Sequence, residues 1–424
     1  MQLNAEEKSI QAGEQGKAAQ FSLQLLQRIG ELTGAERFEP IEAAYVNTTF
    51  SETPSHIDFL DFVAEAGGQV RVPTFTNVGG WDRRNPNLRT RERGAGAETD
   101  TKHLMQRHEE IGVQLLMTCA PYQLPNAPTF GTQIVCSESN AVSYFNSVIG
   151  ARTAKYGDYI DLAAALIGRV PYTGLHKEEN RRANLLLHVD ELPEPLQQED
   201  LSYQLIGHVM GKLAGKSIPA LIGLPERARP ENLRSICASG ASSGGVAMFH
   251  AVGVTPEAPD IQTATSGIEA VEQQITMSDL MNAQQELSQF DQGDIDAVAL
   301  GTPHASLLEV EQLVRCFDGR RVKEGVSFFV QLNRFVFEVA SSKGWVDSLQ
   351  EAGTTLVTDT CLYWRPGTHG LTGKVMTNSG KFSYYAPGEL GIQCRIASTR
   401  DCVESAIVGR VVNSQWGNLD GQSI

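Results

Sequence analysis

The chain has 424 residues, 41% of them hydrophobic, and its formal net charge at pH 7 is −15. A chain of this length can bury more than one core, because single cores stop growing near about 250–300 residues. The acidic balance excludes a protein that binds nucleic acid or anionic membranes through its overall charge, since both need clustered lysine and arginine. An anionic small substrate stays open, because a local basic pocket can reverse the overall field.

Cysteine usage and the N-terminal sequence predict a cytoplasmic protein. The seven cysteines are an odd number with no CxxC spacing, which favours reduced thiols, some of them potential ligands, over a disulfide framework. The first residues are acidic and polar, without the apolar stretch of a signal peptide. No apolar run reaches the length of a transmembrane helix.

Short apolar segments alternate with amphipathic ones from the N-terminus onward. Asn4 precedes Ala5-Glu6-Glu7 as an N-cap would, which predicts the first helix. In the first 200 residues we predict strands at Glu42–Asn47, Gln69–Val72, Gln114–Met117 and Leu185–Val189, and helices at Ser55–Glu65, Ala141–Ile149 and Tyr159–Ile167.

The same alternation continues in the second half of the chain. We predict a helix opening at Ser239–Val246 and running through His250, a helix through Val339, and strands at Asp296–Leu300, Ser327–Val330 and Thr355–Thr358. Apolar strands that alternate with helices predict a multi-lobed α/β fold with parallel sheets covered by helices. The predicted division is a first α/β lobe at 1–200, which C-terminal residues can join, a second at 201–345, and a third segment at 346–424 that completes the active-site cleft.

Polar side chains follow several of these strands, at the edge where α/β sheets bind ligands. The loops carry Asn47, Thr48, Asn77, Cys119, His304, Cys361 and Lys381. A single polar loop means little because strand ends collect caps, but several loops with Cys, His, Asn and Lys at their tips predict an active site. Lys381 follows a Ser/Gly turn, which suits the capture of an anion.

The segment Met117–Asn146 combines two thiols with a polar cluster. Cys119 and Cys136 precede Ser137–Asn140, which opens an apolar run as a helix N-terminus does. Thiols beside an anion site indicate metal-assisted chemistry on a small carboxylate or phosphate. The alternative is a buried turn with two structural thiols.

Several features have more than one interpretation. His304 suits a cap or a catalyst, and Arg152 suits a bidentate carboxylate contact or an internal ion pair. A thiol nucleophile that pairs Cys119 with His304 stays open, because such pairing is spatial. The stretch Ser239–Gly245 resembles a phosphate cradle but lacks the Walker lysine and the GxGxxG spacing, so close helix packing is preferred.

Motifs along nearly the whole chain, in order, resemble the catalytic part of the aconitase X family, a divergent branch of the aconitase superfamily. They are GEQG (Gly13–Gly16), TCAPY (Thr118–Tyr122), SESNAV (Ser137–Val142), NSVIGART (Asn146–Thr153), GLHKEENR (Gly174–Arg181), GVTPEA (Gly253–Ala258), LGTPHASLLE (Leu300–Glu309), TDTC (Thr358–Cys361) and TNSGKFSYYAPG (Thr377–Gly388).

This resemblance implies a hydro-lyase with an iron or iron–sulfur centre. Archaeal members of the family dehydrate mevalonate 5-phosphate, and bacterial members dehydrate cis-3-hydroxy-L-proline to a pyrroline carboxylate. The predicted loops offer only Arg152 and Lys381 as basic groups, which favours hydroxyproline over the phosphorylated acid. The chain ends soon after DCVESAIVGRVV, so the small swivelling domain of the family is expected as a separate subunit.

The resemblance also implies roles for particular residues. Cys119 and Cys361 map to metal ligands, Thr302 stands where a third cysteine is expected, and Cys136 is the substitute candidate. The centre is then a [2Fe–2S] or [4Fe–4S] cluster or a single iron, and the catalytic base is expected to be a serine, with the swivelling part as one place for it. The catalytic candidates on this chain are Ser137, Ser139, His304 and Lys381, and the substrate-binding candidates are Asn47, Thr48, Asn77, Asn140 and Arg152.

Two other classes of function remain alternatives. The Thr302 departure is compatible with a metal-free scaffold for the small subunit. A thiol-dependent hydrolase would be inactivated by alkylation but not by iron chelation.

Overall fold

The computed structural model describes residues 1–47, 54–88, 96–193, 196, 199–364 and 368–413. Three parallel sheets dominate these residues and helices flank them, which confirms the predicted α/β architecture. Separate buried apolar clusters accompany the three sheets, so the chain holds more than one core, as its length predicts. Over the described ranges, every helix is too short or too polar to cross a membrane.

The N-terminal part is built on strands β2 (Ala43–Val46), β3 (Thr74–Thr76) and β4 (Ile134–Cys136), which form a parallel sheet in the order β3-β2-β4. Strands β1 (Phe38–Pro40) and β5 (Arg169–Pro171) pair antiparallel. The helices are α1 (Ala5–Gln11), α2 (Lys17–Thr33), α3 (Pro54–Glu65), α4 (Gly96–Glu110), α5 (Ser139–Tyr144) and α6 (Ile160–Ile167), and α5 continues into a π-helical turn, Phe145–Ile149.

Local sequence signals account for helices α1 and α6. The predicted cap of α1 is confirmed, since the Glu7 N–H donates to Asn4 Oδ1 at 2.9 Å and the Glu7 carboxylate accepts from the Asn4 N–H. Helix α6 has the sequence IDLAAALI, and every residue from Asp161 to Ile167 is buried. A helix that is apolar on all sides is buried on all sides, and this one takes an aspartate with it.

The middle part holds a four-stranded parallel sheet. Its strands are β6 (Leu185–His188), β7 (Pro219–Ile222), β8 (His250–Ala251) and β9 (Val271–Gln274), in the order β8-β7-β6-β9. Its helices are α7 (Asp200–Ala214), α8 (Pro230–Gly244), α9 (Ile261–Thr265) and α10 (Met277–Glu286). Short 3-10 turns lie at Pro121–Gln123, Gly174–His176 and Glu178–Asn180.

The C-terminal part holds a five-stranded parallel sheet in the order β12-β11-β10-β13-β14, with strands β10 (Ala297–Ala305), β11 (Ser327–Leu332), β12 (Thr354–Val357), β13 (Lys374–Thr377) and β14 (Gln393–Ile396). Its helices are α11 (Leu307–Phe317), α12 (Arg334–Ser342), α13 (Trp345–Glu351), α14 (Gly380–Leu390) and α15 (Thr399–Val408). This sheet takes strands from both sides of residue 345, where the sequence interpretation divides the second and third segments.

Three predicted elements differ from the structure. Gln69–Val72 is not a strand; the strand begins at Thr74, after Pro73. Gln114–Met117 contributes an isolated bridge between Gln114 and Phe75 in place of a strand. The stretch from Ser239 ends helix α8 rather than opening a helix, and His250 begins strand β8. For the two strands, tertiary partners that a short apolar run does not reveal decide where pairing starts.

The glycines of SGASSGG serve helix packing, as preferred from the sequence. A Cβ on Gly244 of α8 would lie 1.8 Å from the Gly211 carbonyl oxygen of α7, and a Cβ on Gly207 would lie 2.7 Å from the Ile236 carbonyl oxygen. The two helices therefore approach backbone to backbone, which only glycine allows.

Replacement of Gly211 by alanine is expected to lower the free energy of unfolding by about 1–3 kcal/mol, although alanine is the better helix former. A Cβ at Gly211 would lie 2.7 Å from the Gly240 carbonyl oxygen, so the helices must separate. Gly388 in α14 is the matched control, since its Cβ would meet open space and Gly388→Ala should gain up to about 1 kcal/mol. Urea unfolding of both variants measures the difference, and equal effects would contradict the packing argument.

Candidate active site

Loops that follow strands of the N-terminal and C-terminal parts meet around a cavity of about 260 Å³. Its described lining consists of Asn47, Asn77, Val78, Cys119, Ser137, Glu138, Ser139, Thr302, Cys361, Tyr363, Trp364, Lys381, Tyr385 and Glu389. The cavity thus brings together residues that the sequence interpretation assigned to separate strand ends, as the rule for parallel sheets predicts.

The two cysteines predicted as metal ligands share one wall of this cavity. Cys119 and Cys361 form a small buried cluster with Val78, and each thiol is almost completely buried. Burial raises the pKa of the Cys119 thiol to about 12, and the nearby Glu138 and Cys361 add to the rise. A thiol in this setting stays protonated unless a strong positive charge joins it.

His304 lies between the two cysteine-bearing loops and is not among the described residues that line the cavity. Its backbone N–H donates to Cys119 Sγ at 3.3 Å, and its ring Nε2 is 3.2 Å from the Thr360 carbonyl oxygen. Its Nδ1 is 3.1 Å from the Thr118 hydroxyl oxygen. Burial lowers the pKa of His304 to about 4, so the ring is neutral at pH 7 and can donate to one neighbour while it accepts from the other. These contacts make His304 a positioning residue for the cysteines.

The loop that carries Cys361 is fixed through Asp359. This residue has a φ of 63°, which few non-glycine residues adopt, and its side chain is completely buried. Its carbonyl oxygen accepts from the Gly79 N–H at 2.7 Å, and its carboxylate accepts from Arg334 Nε at 2.6 Å and from Arg83 Nε at 3.3 Å. The loop after β3 and the loop after β12 are therefore bound to each other at the cavity.

Two thiols and one hydroxyl are the donors that this wall offers a metal. Thr302 lines the cavity, and its hydroxyl donates to Gln331 Oε1 at 2.6 Å. Within the described ranges, no three His, Cys, Asp or Glu side chains are grouped so that they could hold a metal ion. The donor set fits an iron centre that Cys119 and Cys361 would hold as thiolates. It does not fit a cluster that needs three cysteines, because the described lining of the cavity contains two.

Glu138 and Lys381 form a buried ion pair in the cavity wall. Glu138 is the N-cap of α5 and accepts from the Ala141 N–H at 2.7 Å, while Lys381 lies in the first turn of α14 with its Nζ 3.5 Å from Ser139 Oγ. Burial by itself lowers the pKa of Lys381, but Glu138, Tyr363 and Cys119 together outweigh it and hold that pKa well above the usual range. Lys381 is therefore a permanent ammonium group with donors left for a ligand.

Ser137 and Asn47 form a second polar corner of the cavity, and it rests on buried Asp161. The Ser137 hydroxyl donates to Asp161 Oδ2, and the Asn47 backbone N–H donates to the same oxygen at 2.7 Å. The Leu162 N–H donates to Asp161 Oδ1 at 2.7 Å. Burial raises the pKa of Asp161 to about 6, against the lowering effect of these hydrogen bonds.

The Asp161 shift makes a prediction about stability and pH. Because the folded carboxyl keeps its proton up to about pH 6 and the unfolded one releases it near 3.8, the folded state binds more protons between these values. The contribution of Asp161 to the free energy of unfolding therefore falls as pH rises from about 4 to 6. Asp161→Asn should lack this component, which urea unfolding of both proteins at several pH values measures. Parallel pH dependences for the two proteins would contradict the shift.

Two predicted site residues lie behind the cavity wall rather than in it. Asn140 is completely buried; its Nδ2 donates to the Cys119 carbonyl oxygen at 2.9 Å and its Oδ1 accepts from the Tyr122 hydroxyl at 2.6 Å. Cys136 is buried at the end of β4 with its Sγ 3.8 Å from the Glu138 carbonyl oxygen. Asn140 thus supports the Cys119 loop, and Cys136 belongs to the core under the sheet.

Arg152 lies outside the described lining and pairs with the Glu178 carboxylate. This is the internal ion pair left open in the sequence interpretation, and it leaves Lys381 as the basic group of the predicted set that reaches the cavity. Thr48, predicted to bind substrate, lies outside the described residues.

Several lining residues were missed from the sequence. Tyr363 and Tyr385 stack with ring centroids 5.5 Å apart, and Trp364 and Glu389 complete that side of the cavity. The signal is present in part, since Tyr363 lies two residues after Cys361 and Tyr385 lies one helical turn after Lys381. Glu138 was visible inside the SESN cluster but had no partner there, because Lys381 lies in a distant part of the chain.

Comparison with known proteins decides the family. Models of the aconitase X first, second and third domains match residues 1–179, 183–285 and 295–408. The chain belongs to the aconitase X family. The resemblance inferred from the motifs is thereby confirmed.

Relatives within the family agree with this assignment. The cis-3-hydroxy-L-proline dehydratase of Pseudomonas aeruginosa is 38% identical over 421 residues, covering 96% of this chain and 70% of that protein. The phosphomevalonate dehydratase large subunit of Methanothermobacter thermautotrophicus is 32% identical over 397 residues, covering 92% of this chain and 95% of that protein. The predicted class, an aconitase-like dehydratase, is confirmed by these relatives.

The fold agrees as well. The crystal structure of the holo-form of Thermococcus kodakaraensis aconitase X superposes with a TM-score of 0.84 at 28% sequence identity, covering 96% of this chain and all of that one.

Proposed function

We propose that this aconitase X protein removes water from cis-3-hydroxy-L-proline to give a pyrroline-2-carboxylate, in the cytoplasm. The proposal is supported by the name of the Pseudomonas aeruginosa relative and by that of a second relative from Hypocrea jecorina, 33% identical over 419 residues. The alternative substrate is mevalonate 5-phosphate, because the archaeal relatives are named phosphomevalonate dehydratase large subunits.

The charge of the cavity lining carries the choice between the two substrates. Among the described lining residues Lys381 is the one cation, and it is already paired with Glu138. Glu389 adds a second acidic side chain, and the aromatic side chains of the lining carry no positive charge. A phosphate dianion beside a carboxylate calls for several cations or bidentate arginines, whereas a zwitterionic amino acid needs a single cation for its carboxylate.

We assign the iron or iron–sulfur group of the proposed enzyme to Cys119 and Cys361, with Thr302 beside them. When bound, that group supplies Lewis-acid assistance to departure of the substrate hydroxyl. His304 and Asn140 hold the Cys119 loop, and Asp359 holds the Cys361 loop.

The remaining polar groups orient the substrate. Lys381 donates to the substrate carboxylate, assisted by Ser139, while Glu138 keeps the ammonium charged and aimed into the cavity. The paired Tyr363 and Tyr385 rings cover the substrate ring and exclude water. These contacts hold the substrate in a fixed orientation. Its C2–H and C3–O bonds therefore keep a fixed position relative to the base that removes the C2 proton.

The base itself is assigned to a small partner subunit with the swivelling domain, as a serine. The archaeal relatives are named large subunits, which supports a two-chain enzyme. A metal-free scaffold is the competing interpretation, motivated by Thr302, and the thiols that share the cavity wall speak against it.

The test is a direct comparison of the two substrates with the assembled holoenzyme. We expect turnover of cis-3-hydroxy-L-proline and a kcat/KM for mevalonate 5-phosphate at least about 100-fold lower. The reverse preference would replace the proposed substrate by the alternative. Turnover of neither, in a complex that contains no iron, would favour the scaffold.

A further inference from the structure

Ser137 and Asn47, a catalytic and a substrate-binding candidate, form a corner of the cavity whose ligand group the proposed function leaves open. Its hydrogen bonds run away from the cavity toward two aspartates. The Ser137 hydroxyl has one proton, and it is donated to Asp161. The serine oxygen therefore faces the cavity as an acceptor.

Asn47, like Ser137, directs its hydrogen-bond donors toward aspartates. Its backbone N–H donates to Asp161 Oδ2 at 2.7 Å, and its Nδ2 donates to Asp158 Oδ1 at 3.0 Å. Its Oδ1 accepts from Asn77 Nδ2 at 2.7 Å and keeps a second lone pair. The corner thus presents oxygen acceptors to a ligand, with carboxylates directly behind them.

Among the described residues, the hydrogen-bond partners of Asp161 carry no positive charge. Asp161 is completely buried, and its described hydrogen bonds come from Ser137, Asn47 and Leu162, all of them neutral donors. Asp158 is about a third exposed and lies 3.2 Å from His56. A buried carboxylate normally has a cationic partner, since removing it from water is costly. Burial raises the pKa of Asp161, and the negative charge of Asp158 adds to the rise.

We infer that the Ser137–Asn47 corner, backed by Asp161, binds the protonated secondary amine of the substrate. The inference rests on the proposed function and identifies the substrate class as a cyclic α-amino acid with a charged ring nitrogen. The ammonium group of the ligand donates to the serine and asparagine oxygens and supplies the positive charge that Asp161 lacks.

The chain geometry supports an amine subsite beside a carboxylate subsite. In an α-amino acid both groups are bonded to the same carbon, so their binding sites must adjoin. Ser137 faces Asp161, and Ser139, two residues further on, lies 3.5 Å from the Lys381 ammonium. Glu138 between them pairs with Lys381. The segment that opens α5 therefore separates the two subsites by the length of one dipeptide.

The test compares two unreactive ligands of the same ring size and carboxylate. L-proline carries the charged ring nitrogen, and (S)-tetrahydrofuran-2-carboxylate has an oxygen in its place. Isothermal titration of the holoenzyme should give an affinity for L-proline at least about tenfold higher, as expected for a charge-assisted hydrogen bond. Asp161→Asn should reduce this ratio to near one while the affinity for tetrahydrofuran-2-carboxylate changes by less than about threefold.

Two further variants protect the test against a folding defect and against general damage to the cavity. Ser137→Ala removes the acceptor and one hydrogen bond to Asp161 but keeps the buried carboxylate, and it should also reduce the ratio. Ser139→Ala, at the carboxylate end, should weaken both ligands together and preserve the ratio.

The outcomes separate this inference from the proposed function. An unchanged ratio in Asp161→Asn and Ser137→Ala, or equal wild-type affinities for the two ligands, overturns the amine subsite even if cis-3-hydroxy-L-proline is dehydrated. A preference for L-proline that depends on Asp161 supports the subsite even if that particular substrate is not turned over. Binding of neither ligand also overturns it.

Discussion

Replacement of both Cys119 and Cys361 by alanine is expected to abolish iron binding and to lower turnover by about 1000-fold or more. The two thiols are the described cysteines that line the cavity, and they are close enough to form one buried cluster. Without them the assistance to hydroxyl departure is lost, and several kcal/mol of transition-state stabilisation corresponds to this factor. Iron analysis and steady-state kinetics on the assembled enzyme measure both effects.

Cys136→Ala is the matched control for this prediction. Cys136 is as deeply buried as the other two, but its thiol lies in the core under the N-terminal sheet and not in the described cavity lining. The control should keep its iron and most of its activity while it loses some stability to the small cavity left behind. Full iron content and turnover in the double variant, or loss of iron in the control, would contradict the assigned ligands.

Lys381→Met is expected to lower kcat/KM by about 100-fold and the free energy of unfolding by about 3–5 kcal/mol. The first effect follows from loss of the charged donor for the substrate carboxylate. The second follows because the Glu138 carboxylate, less than a tenth exposed, stays behind as an unpaired buried charge. Methionine keeps the length and the apolar stem of the lysine, so the change isolates the charge.

The double variant Lys381→Met with Glu138→Gln separates the two effects. Removing both charges leaves no unpaired ion, so most of the lost stability should return, whereas kcat/KM should stay low. Urea unfolding and kinetics on the single and double variants form a complete cycle. Recovery of activity together with stability would show that the ion pair serves the fold and not the substrate.

The sequence predicted those site features that follow from a local rule. Cys119, Cys361 and Lys381 come from distant parts of the chain, yet each was placed at the end of an apolar segment, where parallel sheets gather their functional loops. The glycines near the end of α8 were assigned to packing because they lack the lysine of a phosphate loop, and their backbone contacts with α7 agree.

The roles of residues that depend on a tertiary partner cannot be predicted from the local sequence. His304 and Asn140 have the chemistry of ligand-binding groups, but their donors and acceptors are used by the Cys119 loop. The sequence leaves open whether Arg152 binds a substrate carboxylate or forms an ion pair within the protein, and the structure places the Glu178 carboxylate beside it. The chemistry of a side chain limits the roles that it can have, and the residues that surround it in the fold decide which role it takes.

Asp161 is a residue whose burial the local sequence indicates. It stands in the first turn of IDLAAALI, where an aspartate is an ordinary helix-start residue. The apolar residues on every side of that helix indicate complete burial, and a buried aspartate needs partners. Those partners, Ser137 and Asn47, are both cavity residues.

The measurement that tests the account most directly is turnover of cis-3-hydroxy-L-proline by this chain together with the small subunit proposed for it, purified without oxygen. Preparations of graded iron content should be compared, with iron and sulfide determined in each. The account predicts a rate that rises in proportion to bound iron, with a pyrroline carboxylate as product. Full turnover in iron-free preparations, or inertness of the fully loaded complex toward this substrate, would contradict it.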